Sequence, residues 1–299
     1  MDPRRARGGQ PGPIARARRF VTGQRAGSAI WRTAALALLV IFATISVAAC
    51  GSSSSKETRK NTFSVGSNPV VKVTVGNGDV DLVVGPAGEI AVTAELRDSE
   101  NVEYEVSQTG DSITVDAKTK RDGSADVTVT APATTRFEFS AGNGDVSVAG
   151  VQASGIVNSG NGSITLEKIS GDVVGNTGNG DITLSDVAGS FILNDGNGKI
   201  TLRDATGSFA ANLGNGNIAF QGELTGASDK TLTAGNGSVT VELTGSPSVA
   251  LDLETDDGDI EVGPPVTITQ QAEGKLVGTI GTGDATLTVS VGRGNITVK

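Results

Sequence analysis

The tripeptide Gly-Asn-Gly recurs along the chain and is its clearest candidate for chemistry. Its copies begin at Gly76, Gly142, Gly160, Gly178, Gly196, Gly214 and Gly235, and the five from Gly142 to Gly214 are 18 residues apart. A glycine-rich loop with neighbouring aspartates could bind a phosphate through its backbone amides, coordinate calcium, or form a turn. Each interpretation implies a different class of protein.

The residues after each loop argue against phosphate binding. A phosphate-binding loop leads into a helix whose N-terminus faces the anion, and its consensus includes a lysine. The segment GNGDITL instead continues directly into alternating polar and apolar residues, which are typical of a strand, and has no lysine at the required place. The sequence therefore predicts no phosphate-containing cofactor, and it indicates no other cofactor.

Calcium binding is a more serious alternative, because 18 residues are two units of the nonapeptide β-roll that holds calcium between its turns. The residue after each triplet is, in chain order, Asp79, Asp145, Ser163, Asp181, Lys199, Asn217 and Ser238. A calcium ladder needs oxygen ligands in register, so Lys199 disfavours it. An isolated calcium site at Asp256, Asp257 and Asp259 stays open, because carboxylates this close together can supply hard ligands.

A turn accounts for all three residues of the triplet. Two glycines allow positive φ, and asparagine is the non-glycine residue that best tolerates the left-handed region. If the repeats stack, asparagine amides of successive copies can also hydrogen-bond in ladders. We therefore predict structural turns, and no metal site, at Asn143, Asn161, Asn179, Asn197, Asn215 and Asn236. A second ladder is predicted at Asn158, Asn176, Asn194 and Asn212.

The elements that position these turns are short strands. Inward columns are formed by Ile164, Ile182, Ile200 and Ile218, then by Leu166, Leu184, Leu202 and Phe220, and on a second strand by Val173, Phe191 and Phe209. Period-two alternation indicates one buried strand face, which a lone pair of short strands cannot bury. We therefore predict an all-β fold, a single-stranded parallel β-solenoid with 18-residue rungs. An antiparallel β-sandwich with Asn-Gly hairpin turns is the alternative.

The first 49 residues are predicted to be a signal peptide. Eight arginines precede an uncharged run from Thr33 to Ala49, which is short for a membrane span of roughly 20 residues. The ending Val47-Ala48-Ala49-Cys50 resembles a bacterial lipobox, so we expect lipidation of Cys50, the only cysteine. An uncleaved anchor ending in an incidental cysteine is the alternative. In both cases the positive-inside rule places the rest of the chain on the extracytoplasmic face of the cell membrane.

Three regions follow from these assignments. Residues 50–61 form the lipidated cysteine and a flexible tether, and residues 62–299 form the β-solenoid domain. Within that domain, residues 62–140 are the irregular N-terminal coils and cap, since terminal repeats must shield an open edge. Residues 141–299 are the repeats, with degenerate corners at 256–259, 281–284 and 292–295.

Composition narrows the function. Removing residues 1–49 takes away eight of 24 basic residues and one of 33 acidic ones, which leaves 16 basic and 32 acidic residues. Such an acidic surface repels nucleic acid, so no nucleic-acid partner is expected. The chain has no histidine and one tyrosine, Tyr104, and no concentrated set of acids suited to general acid–base catalysis. The composition favours a protein that is not an enzyme.

The segments GNGDITL, SGNGSITL and LVGTIGTGDATLTVSVGRGNITVK resemble bacterial adhesin-like domains of unknown function, over roughly residues 62–299. The resemblance implies a β-helix-like solenoid and no functional residues. We expect a lipid-anchored surface binding, adhesion or structural module whose partner is envelope polysaccharide or a surface protein. The outward column Thr165, Thr183 and Thr201 is a candidate face. A polysaccharide-active solenoid enzyme and a calcium-responsive module are the alternatives.

Overall fold

The computed structural model describes residues 55–299 and confirms the all-β class, with one short 3-10 turn at Ser99–Asn101. None of the residues described belongs to a helix long and apolar enough to cross a membrane. The predicted signal peptide, Cys50 and the first part of the tether lie outside these residues. Residues 56–61, predicted as part of the flexible tether, instead belong to the strand Lys56–Ser64.

The strands are β1 (Lys56–Ser64), β2 (Val70–Asn77), β3 (Val80–Val84), β4 (Glu89–Arg97), β5 (Val102–Thr109), β6 (Ser112–Thr119), β7 (Ser124–Ala131), β8 (Arg136–Asn143), β9 (Val146–Ala149), β10 (Gly155–Asn161), β11 (Ile164–Glu167), β12 (Val173–Asn179), β13 (Ile182–Gly222), β14 (Asp229–Asn236), β15 (Val239–Leu243), β16 (Val249–Asp257), β17 (Ile260–Val262), β18 (Thr267–Ala272), β19 (Lys275–Ile280), β20 (Ala285–Arg293) and β21 (Ile296–Val298). Strand β13 is unusually long because it runs through several repeats without a break.

Each central repeat contributes one strand to each of two walls. We call the first wall the strands that precede the Gly-Asn-Gly corner, such as β8, β10, β12 and β14, and the second wall the strands that follow it, such as β9, β11 and β15. Residues 191–197 and 209–215 of β13 belong to the first wall, and its residues 182–185, 200–203 and 218–222 belong to the second. The corner turns the chain from one wall to the other.

The register of the central rungs matches the sequence period. On the second wall Ile164 pairs with Ile182 and Leu166 with Leu184, in parallel. On the first wall Val173 pairs with Phe191, and Asn176 pairs with Asn194. Parallel neighbours lie about 4.8 Å apart, so each repeat covers the apolar face of the one before it. The predicted columns are therefore confirmed.

The prediction of a wholly parallel solenoid is wrong at both ends, where the strand orientations are mixed. In the N-terminal part, β1 pairs with β4, β4 with β7, and β5 with β6, all antiparallel. In the C-terminal part, β18 pairs antiparallel with β19, and β19 with β16. Antiparallel return strands cover rungs that have no further parallel neighbour, which explains why these segments lack the repeat motif.

The order of rungs in space also departs from their order in the chain. The rung β2–β3 lies between β6–β7 and β8–β9. The final rung, β20–β21, is inserted between β14–β15 and β16–β17. Both insertions require long-range pairing, which an 18-residue period cannot reveal.

The core fills the space between the two walls. Its columns are aliphatic over most of the stack, and the bulkiest fully buried members are Phe63, Phe137, Phe139, Phe191 and Phe220. The rings of Phe209 and Phe220 are stacked with centroids 5.3 Å apart. Because the interior is closely packed along its length, function must be sought at the corners or on the outer faces.

Candidate functional site

The glycines of the repeated corner are required by close backbone approach. A Cβ on Gly178 would lie 2.6 Å from the carbonyl oxygen of Gly160, one rung earlier. The third residue of the triplet is more restricted, because Gly180 has a φ of 147° and its Cβ would lie 2.2 Å from the Gly162 oxygen. Only the third glycine therefore uses positive φ, whereas the first simply allows adjacent rungs to approach.

The asparagine of the triplet has a different role from the one the turn argument assigned. Across residues 55–299, five non-glycine residues have positive φ, and none of them is an asparagine: Asp98, Arg121, Lys168, Asp186 and Asp204. The prediction that asparagine tolerates a left-handed turn here was therefore wrong about its φ. The corner selects asparagine for its side-chain amide.

That amide forms the predicted ladder. The Asn161 Nδ2 atom donates to Asn143 Oδ1 at 2.8 Å, and Asn179 Nδ2 donates to Asn161 Oδ1 at 2.8 Å. The same bond recurs at Asn143, Asn197, Asn215 and Asn236, with distances of 2.7, 3.0, 2.8 and 2.9 Å to the preceding member. The ladder begins at Asn77 and is interrupted where Arg293 pairs with Asn236.

In the column immediately after the triplet, side-chain oxygens likewise accept hydrogen bonds from the next rung. Asp145 Oδ1 accepts a hydrogen bond from the backbone N–H of Ser163 at 2.7 Å, and Asp181 Oδ1 accepts one from Lys199 N–H at 2.9 Å. Asn217 Oδ1 accepts from Ser238 N–H at 2.8 Å. Any short side chain with an oxygen performs this task, which explains why aspartate, serine and asparagine alternate in the column; Lys199 is the one member of the column that has no such oxygen.

The isolated calcium alternative finds no assembled ligand set in the described part of the chain. Within residues 55–299, no three acidic side chains are grouped so that they could hold a metal ion. Asp257 pairs across the sheet with Arg293, and the backbone N–H of Asp259 donates to Asn295 Oδ1 at 3.0 Å. The corner at 256–259 thus stacks on the corner at 292–295. The segment 281–284, predicted as a corner, instead connects β19 to β20.

A column of polar residues lies inside the corner and was not predicted. Ser159 Oγ donates to the Gly144 carbonyl at 3.0 Å, and Thr177 Oγ1 donates to the Gly162 carbonyl at 2.9 Å. Asp195 is next in the column and is 5% exposed. Its Oδ1 accepts from Asn197 N–H at 3.0 Å, but its buried Oδ2 has no partner.

The carboxyl of Asp195 is consequently easier to protonate than an ordinary aspartate. Burial raises its pKa to about 6, against a lowering effect of the Asn197 backbone hydrogen bond, and the negative charge of Asp181 adds to the rise. When protonated, Asp195 can donate a hydrogen bond to the corner, as Ser159 and Thr177 do. Asp195 occupies a buried position of β13 and is also among the residues that line the groove beside Asn194 and Gly196.

Lys230 is a second buried polar residue that the sequence did not reveal. It occupies an inward position beside Phe209 and Leu287 and is 1% exposed. Its Nζ donates to the Ser228 carbonyl at 2.8 Å and to the Thr225 carbonyl at 3.1 Å. Burial lowers its pKa. The interval of 21 residues between Gly214 and Gly235 supplies the extra loop that solvates this ammonium group.

The outer face of the first wall carries two parallel rows of side chains, one of asparagine amides and one of apolar residues. The predicted second ladder forms there, since Asn176 donates to Asn158 at 2.8 Å, Asn194 to Asn176 at 2.8 Å and Asn212 to Asn194 at 3.0 Å. Two residues before each amide stands an outward apolar side chain: Ile156, Val174, Ile192 and Ala210. Ile156 and Ile192 are 44% and 45% exposed. We call this surface the ladder face.

Two grooves lie on the ladder face. One of about 390 Å³ is lined by Asn176, Thr177, Asn194, Asp195, Gly196, Asn212, Leu213, Gly214 and Thr233. The other, of about 490 Å³, includes Lys72, Arg136, Glu138, Ile156, Asp172 and Val174. Lys72 and Glu138 form an ion pair at 2.6 Å across adjacent strands. The first groove includes three residues of the amide row, and the second includes Ile156 and Val174 of the apolar row.

The threonine column proposed from the sequence is less accessible to a partner than the ladder face is. Thr165 is exposed, Thr183 is half-buried, and Thr201 is only 8% exposed. The three residues pair in one column of the second wall, as predicted, but they do not present a continuous accessible row. The apolar row on the opposite wall could have been found from the alternation that places an apolar residue immediately after Gly155, Val173 and Phe191.

These features define an all-β protein of stacked rungs with structural corners and a regular outer face. The sequence profile described as Toastrack DUF4097 matches residues 69–299, so the chain belongs to this family. No curated protein gives a significant match.

Several solved structures resemble the chain at low identity. A putative adhesin from Bacteroides fragilis NCTC 9343 shares 12% identity, covers 81% of this chain and 97% of its own, and has a TM-score of 0.36. A putative lipid binding protein from Parabacteroides distasonis ATCC 8503 shares 14%, covers 82% and 96%, and scores 0.34. A putative cell adhesion protein from Clostridium sporogenes ATCC 15579 shares 11%, covers 81% and 99%, and scores 0.27. No functional argument rests on likenesses this distant.

Proposed function

We propose that the protein is a lipid-anchored extracytoplasmic lipoprotein whose β-solenoid is a non-catalytic binding module for envelope polysaccharide. The ladder face is the binding surface, and Cys50 is the anchor. The anchor rests on the sequence alone, since Cys50 precedes the described residues.

The observation that carries this proposal is the regularity of the ladder face. Asn158, Asn176, Asn194 and Asn212 repeat in register with an apolar row beside them. Each inner amide uses one N–H and one oxygen lone pair within the ladder, while a primary amide has two of each. One donor and one acceptor per rung therefore remain free along the row.

A linear polysaccharide matches this pattern chemically. Its sugar units present hydroxyl groups and patches of C–H at regular intervals, which can meet the amide row and the apolar row together. Residues 50–299 contain 32 acidic and 16 basic residues, so the surface favours an uncharged polymer over a polyanionic one.

We propose that the protein is not catalytic, because the buried side chains of Asp195 and Lys230 form hydrogen bonds within the fold. Asp195 lies inside a corner and Lys230 is surrounded by loop carbonyls. A hydrolase of polysaccharides needs a pair of carboxyl groups flanking the scissile bond. The grooves of the ladder face contain Glu138, Asp172 and Asp195; Glu138 is paired with Lys72, and Asp195 accepts a hydrogen bond from the Asn197 backbone.

The test measures both the retention of the protein on polysaccharide and any cleavage of that polysaccharide. Purified full-length protein in detergent is incubated with protein-free cell-wall polysaccharide from its own host, and both the pelleted protein and newly formed reducing ends are measured. We expect retention in the pellet with no increase in reducing ends. Polysaccharide cleavage that persists after repurification would establish an enzyme instead, and failure of the protein to pellet would refute the polysaccharide as its ligand.

A further inference from the structure

Both rows of the ladder face span the same four rungs. The pairing of β10, β12 and β13 places the apolar row, from Ile156 to Ala210, beside the amide row, from Asn158 to Asn212. The two rows lie two residues apart along each strand, which is about 7 Å. A ring-shaped ligand seated on the apolar row therefore brings one of its edges over the amide row.

The apolar row ends at a polar residue on each side. Ile156 pairs with Glu138, whose carboxylate forms an ion pair with Lys72 at 2.6 Å, and Ala210 pairs with Thr231. The amide row ends at the same rungs, where hydroxyl side chains replace the amide: Ser140 and Thr233. A ligand that needs an apolar contact and an amide at each step therefore meets four such steps.

The distance between rungs limits the geometry of a bound polymer. Neighbouring parallel strands lie about 4.8 Å apart, so each row offers one contact at that interval in a straight line along the stack. A cellulose-type chain, whose linkages are equatorial and β, is extended and advances by nearly this distance for each sugar. An axially α-linked chain coils instead, so its units cannot follow a straight row. The interval and the straightness of the rows therefore favour the extended chain.

Every sugar of such a chain presents suitable groups to a rung. Successive sugars are turned over relative to one another, yet each has hydroxyl groups on both edges and C–H groups on both faces. A hydroxyl both donates and accepts, which matches the free N–H and the free oxygen lone pair that each inner amide retains. A C–H face can cover the exposed apolar side chains of Ile156 and Ile192.

We propose that the ladder face binds an extended, equatorially β-linked chain of neutral sugars that lies along the stack, with one sugar on each of four rungs. This inference rests on the proposed function and narrows its ligand from polysaccharide in general to chains of the cellulose and chitin type. Affinity should then depend on the linkage between sugars, and on chain length only up to four sugars.

The first test measures the binding of oligosaccharides of two to six units to the full-length protein in detergent, by titration calorimetry. Cello-oligosaccharides and chito-oligosaccharides are the β-linked probes, and malto-oligosaccharides are the α-linked control, built from the same glucose unit as the cello series. Each added sugar brings one more amide–hydroxyl hydrogen bond. The association constant of at least one β-linked series should therefore rise by about two-fold to ten-fold per unit up to four units, and then level off. The malto series should bind at least about ten-fold more weakly at equal length.

The outcomes separate this inference from the proposed function. Equal binding of the malto series, no binding of either β-linked series, or an affinity that keeps rising at the same rate beyond four units would overturn the inference. If the protein is still retained by host cell-wall polysaccharide in that case, the proposed function stands and only the assigned chain type is wrong. Loss of that retention as well would refute both.

A variant with a fifth rung tests the length limit directly. Thr231→Ile combined with Thr233→Asn adds one member to each row, so affinity should level off at five sugars instead of four. The matched control is Thr128→Ile with Thr130→Asn, which makes the same changes at the same spacing on β7, a strand of the second wall with partners on both sides. The control should keep the limit at four, and thermal unfolding verifies that both variants fold. An unchanged limit in the folded five-rung variant, or the same shift in the control, would contradict the proposal.

Discussion

Asn197 illustrates how single residues join the rungs. It donates to Asn179 and accepts from Asn215, so it takes part in two ladder bonds. Both neighbours are amides in the same position one rung away. Each ladder asparagine therefore stabilises the contacts of its repeat with the repeats on both sides. This structural role explains why the asparagine recurs without invoking a ligand.

The ladder predicts a graded loss of stability. Asn197→Ala removes two amide hydrogen bonds and should lower the free energy of unfolding by about 1–3 kcal/mol, at about 0.5–1.5 kcal/mol for each bond. Asn236→Ala is the matched control because Asn236 donates one ladder bond, to Asn215. Urea unfolding should show about half the loss for Asn236→Ala, whereas equal losses would show that the bonds do not act rung by rung.

Asp195 predicts a dependence of stability on pH. Its pKa is raised to about 6 in the folded state, so the native state binds the proton more tightly than the unfolded chain does. The resulting stabilisation is present below the unfolded pKa of about 4 and is lost as the pH rises through about 6. This contribution is at most about 3 kcal/mol, since one pKa unit corresponds to about 1.4 kcal/mol.

Asp195→Thr should remove that dependence. Threonine occupies the same place one rung earlier, where Thr177 donates to a corner carbonyl. The variant should therefore be more stable than the wild type above pH 6, by about 1–3 kcal/mol, with a flatter profile between pH 4 and pH 6. Thr177→Ser, which keeps the hydroxyl, should retain the wild-type slope in chemical unfolding experiments. An unaltered slope in Asp195→Thr would show that another group titrates.

At the scale of the element, the corner glycines set the distance between rungs. Gly180→Ala combines a positive φ with a Cβ 2.2 Å from the Gly162 oxygen, so it should destabilise the fold by more than about 3 kcal/mol. Gly110→Ala is the control, because Gly110 has a φ of 60° and no atom within 4 Å of an added Cβ. It should cost only the backbone strain of roughly 1–2 kcal/mol. Similar losses of thermal stability in the two variants would show that rung contact is unimportant.

The elements also show how far the sequence could be interpreted. The repeated isoleucines and asparagines predicted the central columns, because a strict period of 18 brings identical residues into register. The positions of β2–β3 and β20–β21 could not be predicted, since pairing between distant segments leaves no periodic trace. Buried Asp195 was also missed, because its solvent exposure depends on the neighbouring rungs rather than on its own repeat.

At the scale of the whole molecule, the proposed membrane attachment depends on Cys50. If Cys50 is lipidated, the wild-type protein should begin at an acylated Cys50, and Cys50→Ala should lose the acyl mass and leave the normal membrane fraction. Mass spectrometry of the N-terminal peptide measures this directly, with Ser52→Ala as a control that should remain acylated. An unmodified Cys50 in a membrane-bound wild-type protein would support the uncleaved anchor instead.

The central proposal at this scale is that the ladder face binds the ligand, whereas the corners have a structural role. Its most direct test is the affinity of the full chain for protein-free host cell-wall polysaccharide, compared between Ile192→Lys on the ladder face and Thr165→Lys on the opposite wall. Loss of the exposed apolar row should weaken binding by about ten-fold or more in Ile192→Lys, which corresponds to about 1.4 kcal/mol. Thr165→Lys should bind as the wild type does. Equal affinities for the two variants would contradict the assignment of the ladder face as the binding surface.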